Sequence, residues 1–185
     1  MKRIYTFLSA AVLSALSMTA QNSVDIGLFQ NDAGQLEVKV RPQSGFDGIV
    51  SSMVFSIRWD RTTGATLGDP IQMDQTLQYI PMSRSGAVRE VGGLNYQVFA
   101  GFGFQRMANT GNHWVAGQEY TIMTIPVTGS AGFELVNDSW TGELQNNADF
   151  YTSLGGEDRT GSIYKSLAVP ANFETTVSIL PNPND

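Results

Sequence analysis

The sequence predicts an all-β fold, an antiparallel two-sheet β-sandwich of about eight or nine strands. Three observations carry this. In Gly48–Asp60, the residues Met53, Phe55, Ile57 and Trp59 alternate with Ser52, Val54, Ser56 and Arg58, the period of two that a strand with one buried face requires. Similar short alternating segments recur along the chain, separated by Gly, Pro, Asn and Asp, the spacing of a sandwich. After the first twenty residues no stretch repeats apolar residues at three and four apart as an amphipathic helix does.

Taken in order, Ser23–Phe29 alternates Val24, Ile26 and Leu28 and reads as a first strand. Asn31–Gly34 is a turn in which Gly34 is free to take a positive φ. Leu36, Val38 and Val40 alternate with charged residues in a second strand, which Pro42 ends. Gly48–Asp60 is the central core strand. Arg61–Pro70 is a loop with a short strand at Ala65–Leu67. Within Ile71–Ser85, Leu77, Tyr79 and Pro81 suggest an edge strand. Ala87–Val91 and Leu94–Gln105 flank a Gly92-Gly93 turn. In the latter, Tyr96, Val98, Ala100, Phe102 and Phe104 share one face and Gln97, Phe99, Gly101 and Gly103 the other. Two glycines inside a strand imply a bulge or the close approach of another group. Glu119–Thr128 and Phe133–Val136 are further strands; residues 137–161 are polar, glycine-rich loop; Ser162–Leu167 is the closing strand.

Lys2 and Arg3, the apolar run Ile4–Leu16 and small residues up to Ala20 follow the order of a secretory signal peptide, too short for a membrane span. The organisation is therefore a signal peptide over 1–20, a β-sandwich domain over 21–167 and a linker with a tail over 168–185. Removing residues 1–20 leaves nine basic against 17 acidic residues, a net charge of −8. With no basic run, nucleic acid is excluded as a partner. The acidic balance disfavours anionic lipid, and no later stretch is long and apolar enough for an integral membrane helix. Cysteine is absent, which removes disulfides, a lipoprotein anchor, a thiol nucleophile and thiolate metal sites.

Two stretches carry family resemblances. Leu36–Arg41, Phe55-Ser56-Ile57-Arg58-Trp59-Asp60 and Gly117–Val127, with Ile122, Ile125 and Val127, resemble strands of cohesin-type domains, a group of jelly-roll sandwiches that includes carbohydrate-binding modules. The likeness spans roughly residues 24–165 and implies extracellular adhesion or scaffolding; no motif matches the family's partner-contacting residues. Val177–Asp185, with Pro181-Asn182-Pro183, resembles the opening strand of a type IX secretion sorting domain. That resemblance implies export across both membranes of a Gram-negative cell, with the sorting domain truncated here.

Catalytic chemistry finds little footing. His113 is the one histidine, and no Gly-x-Ser-x-Gly elbow offers it a serine, so no catalytic residue is assigned. The acidic residues of 137–158 suit a hard cation, and the expected calcium ligands are Asp138, Asp149 and Asp158. The spacing departs from an EF-hand, and acidic loops serve solubility equally well. Trp114, Trp140 and Tyr151 stand in loops or at strand ends, where flat rings stack on sugars or cap the core. The reading is a secreted, non-enzymatic module for an extracellular protein partner. The alternative is a carbohydrate-binding module that recognises polysaccharide through Trp114, Trp140 and Tyr151; a third is a self-associating fibre subunit. Export should release a mature chain beginning at Gln21, read by mass spectrometry of the secreted protein; an intact Met1 would contradict the leader.

Overall fold

A computed structural model describes residues 22–170; the leader and the Pro-Asn-Pro tail lie outside the described residues. The strands are β1 (Val24–Gln30), β2 (Leu36–Pro42), β3 (Val50–Asp60), β4 (Thr66–Leu67), β5 (Ile71–Gln72), β6 (Met82–Arg84), β7 (Arg89–Val91), β8 (Leu94–Gly101), β9 (Tyr120–Ile125), β10 (Val127–Thr128), β11 (Phe133–Val136), β12 (Tyr151–Leu154), β13 (Glu157–Asp158), β14 (Thr160–Lys165) and β15 (Leu167–Ala168). Seven of the fifteen have only two or three residues, so the sandwich rests on eight, as the turn spacing implies.

One sheet runs β14-β1-β2-β9-β5. β10 and β4 form a small two-stranded sheet, and the second large sheet is built around β3. One edge of β3 pairs with β8 from Met53 to Asp60. Its other edge pairs with β12 near its start and β11 near its end. β8 in turn carries β6 and β7 on its outer edge. The inward residues of β3, from Met53 to Trp59, join Val24, Ile26, Leu28, Leu36, Val38 and Val40 of the facing sheet in one continuous core. Phe55 stacks on Phe99 with ring centroids 5.5 Å apart. Trp59 packs against Phe133 at 5.6 Å, and its indole N–H donates to the Ala65 carbonyl at 2.9 Å. The wide ring is thus buried without an orphaned donor.

The closing strand β14 pairs parallel to β1, the departure from a purely antiparallel sandwich. Asp25, 8% exposed, holds this junction. It accepts hydrogen bonds from Arg41 (3.1 Å), Gln43 (2.6 Å) and the Ser162 backbone N–H (2.8 Å). A nearly buried carboxylate survives because strong donors from β2, the chain just after it and β14 all meet it.

Ile71–Ser85 differs from the expected edge strand. It contains helix α1 (Asp74–Tyr79) between β5 and β6. Thr76 and Tyr79, three residues apart, are its buried pair, and Thr76 Oγ1 donates to the Ile122 carbonyl at 2.8 Å. Six residues hold too little of a helical repeat to outweigh a period-two reading of Leu77 and Tyr79. The polar stretch 137–161, expected as loop, carries β12, β13 and the start of β14, and Tyr151 stands at the first position of β12, opposite Val54.

The glycines of β8 and its continuation mark the close approach that the sequence implies. A Cβ on Gly101 would overlap the Met82 sulfur and lie 2.6 Å from the Pro81 carbonyl oxygen; one on Gly103 would overlap the carbonyl oxygens of Tyr79 and Val50. The segment from Tyr79 to Met82 therefore crosses directly over these two positions. Gly103→Ala should destabilise the fold by about 1–3 kcal/mol or more, because backbone on two sides must move. Phe55→Ala should cost about 3–5 kcal/mol. Urea unfolding measures both, and a near-neutral Gly103→Ala would show that this crossing is looser than described.

Candidate functional site

The outer face of the β3–β8 sheet divides into a covered half and an open half. On the covered half, residues 137–150 form a strap across the sheet. Arg58, pointing outward from β3, donates to Asp138 at 2.8 Å and to Glu134 at 2.9 Å. Tyr96, its neighbour on β8, donates its hydroxyl to the same Asp138 oxygen at 3.0 Å. The other Asp138 oxygen accepts the backbone N–H groups of Trp140 (3.0 Å) and Thr141 (3.1 Å), which turns the strap back. Trp140 then lies against Tyr96 with centroids 4.4 Å apart. Further on, Ala148 and Phe150 are buried while Asn147 and Asp149 stay exposed. Asn147, at φ 47°, takes the left-handed conformation that asparagine tolerates.

The open half is a trough. Tyr151, Val54, Ala100 and Ser83 are successive cross-strand neighbours on β12, β3, β8 and β6. Val54, Ala100 and the serines give a floor of short side chains. Phe102 stands on one side and Asn147, Asp149 and Tyr151 on the other, enclosing about 580 Å³. A second depression of about 400 Å³ continues past Phe102 to Pro81 and Phe104, sharing Ser85 and Ala100. Phe102 is 56% and Phe104 89% exposed. The strand expected over Leu94–Gln105 ends at Gly101, so both phenylalanines lie just past it. Gly101 and Gly103 face the crossing segment, and the phenylalanines between and after them are turned to solvent. A stretch that turns glycine inward and phenylalanine outward reverses the usual pattern, and such local reversals belong to binding surfaces.

The residues expected from sequence are placed as follows. Trp114 is 1% exposed and ringed by Phe46, Tyr79 and Tyr120 at about 6 Å. It fills the core and offers no ring face to a sugar, which corrects its assignment as a ligand platform. Trp140 is half-buried on Tyr96, whose partner Arg58 lies four residues along β3 from Val54, the partner of Tyr151. Trp140 and Tyr151 thus share a sheet face but stand about 13 Å apart along it. Asp138, Asp149 and Asp158 do not converge, and among the described residues no three acidic or histidine side chains group to hold a metal. Asp138 is committed to Arg58 and Tyr96. Asp158 is held below the usual carboxylate range by hydrogen bonds from Thr160. Asp149 alone of the three lines the trough.

His113 lines a cleft of about 340 Å³ with Tyr79, Trp114, Glu119 and Tyr120. No serine lines it, and its two threonine hydroxyls donate to Ile122 and Glu37. Phe102 and Phe104 were visible in the sequence as one face of a strand. What pointed to them was the Gly-Phe-Gly-Phe run, in which glycine occupies the positions that a core strand would fill.

Burial pushes the Tyr96 phenol up, bonding with Arg58 draws it down, and the bond to Asp138 raises it; the result lies above the ordinary tyrosine value. Below pH ~10 the phenol is neutral in folded and unfolded chains alike, and its contribution is complete. Above that pH the unfolded chain loses a proton that the folded chain keeps, so stability falls as pH rises toward the folded value. Urea midpoints should therefore decline above pH ~10, and Tyr96→Phe should make the decline shallower. The remaining slope belongs to Tyr79 and Tyr164, whose phenols burial also raises. An unchanged slope in Tyr96→Phe would remove Tyr96 from this account.

No protein-family model matches the chain, and no curated protein matches it. Among solved structures it is similar to the cohesin module from Clostridium perfringens ATCC13124 family 33 glycoside hydrolase, with 9% sequence identity, a TM-score of 0.39, and coverage of 82% of this chain and 94% of that one.

Proposed function

We propose that the chain is a secreted, non-enzymatic binding module that holds a protein partner on the trough of the β3–β8 sheet, at or beyond the outer surface of a Gram-negative cell. The observation that carries this is the outward display of Phe102 and Phe104 beside a formed depression. Side chains without polar atoms gain most from apolar contact with a partner. The cohesin-like strand pattern and the leader support the same reading from sequence.

Carbohydrate binding is the second reading, because Tyr151, Asn147 and Asp149 set polar groups beside an aromatic wall, an arrangement sugars use. It now rests on Tyr151 and Trp140 without Trp114.

A pull-down from the native envelope should recover a specific protein with the wild-type chain and lose it with a Phe102→Ala/Phe104→Ala double variant. These exposed substitutions should change stability by no more than ~0.5 kcal/mol each. Equal recovery by both chains, or none above background, would refute the site. Retention on insoluble polysaccharide, lost in Tyr151→Ala and Trp140→Ala, would favour the second reading.

A further inference from the structure

Resting on the binding-face reading above, we propose that the trough takes a short extended segment of a partner protein that is cationic as well as apolar, with its positive side chain on Asp149. The register sets the length. From Tyr151 through Val54 and Ala100 to Ser83 the trough crosses four strands, three spacings of ~4.8 Å or about 14 Å. An extended chain covers that distance in about four residues. In such a segment alternate side chains point the same way, so about two of the four enter the trough. One meets the apolar wall at Phe102 and the next reaches the strap.

The charge of the second side chain follows from what already stands there. Asp149 is exposed, lines the trough, and makes no ion pair or hydrogen bond among the described residues. It is the one charged side chain lining the part between Phe102 and Tyr151. Arg58, on the same sheet face, is committed to Asp138 and Glu134, and Arg84 lines the neighbouring depression and is already engaged. It donates to the Leu67 carbonyl, to the Gly68 carbonyl at 2.5 Å, and lies 3.7 Å from Asp69. An anionic segment would therefore meet an unpaired carboxylate at close range, while a lysine or arginine would pair with it. The net charge of −6 for the whole chain acts in the same direction at longer range, favouring encounter with basic partners. It also argues against a second copy of this chain, which would bring its own Asp149 and the same negative field.

The test uses the full secreted chain and two fluorescein-labelled hexapeptides, one alternating leucine with lysine and the other alternating leucine with glutamate. Binding is followed by fluorescence anisotropy at low and high salt. The lysine peptide should bind the wild type and weaken with salt, and the glutamate peptide should not bind. Asp149→Asn should weaken the lysine peptide about fivefold, and Phe102→Ala should abolish its binding. Both side chains are exposed, and circular dichroism checks that the variants fold. Equal binding of the two peptides, no binding of the lysine peptide, or no effect of Asp149→Asn overturns the cationic assignment. If peptide binding is then still lost in Phe102→Ala, the binding face stands without the charge preference. If Phe102→Ala also has no effect, both readings fall. Binding of cellohexaose lost in Phe102→Ala and Tyr151→Ala, with neither peptide bound, overturns the peptide in favour of a sugar.

Discussion

The structure depends on β3 being paired along both edges while its inward side chains fill the core. β8 occupies one edge over eight consecutive residue pairs, and β12 and β11 share the other. A strand held on both sides leaves few backbone groups unsatisfied and cannot slip by one residue without turning Phe55, Ile57 and Trp59 to solvent. That penalty sets the register of every neighbour. It also determines which side chains stand outside: Ser52, Val54, Ser56 and Arg58 follow from the inward set by the pleat alone.

Those outward residues divide the labour of the face. Arg58 is the anchor for the strap through Asp138, and is itself held by Glu134 of β11. Ser56, beneath it, donates to the Ala148 carbonyl at 3.5 Å. Val54, two residues away, is left as trough floor. A single strand thus supplies both the fastening of the cover and the opening beside it. The covered part is apolar and polar groups matched to one another; the open part is aromatic wall, short floor and one free carboxylate.

The trough has a cost built into its backbone. Gly101 and Gly103 lose conformational freedom on folding and contribute no side chain to the interior. In exchange the chain from Tyr79 to Met82 passes close over them, and the phenylalanines beside them, just past the end of β8, face outward.

The sequence by itself determined the all-β class, the β3 face from Met53 to Trp59, and the close approach at the two glycines. Each is a local matter, of period-two alternation or of a missing Cβ. Tertiary structure decided the rest. The parallel partner of β1 lies more than 130 residues away, and nothing in Thr160–Lys165 states its direction; the meeting of Asp25 with Ser162 does. Trp114 looked like a loop ring, yet Phe46, Tyr79 and Tyr120 close around it from three separate segments. Asp138 looked like a metal ligand, yet Arg58 and Tyr96 reach it from two strands. Whether an aromatic ring or a carboxylate is free depends on what the distant chain brings to it, and only the folded chain contains that information.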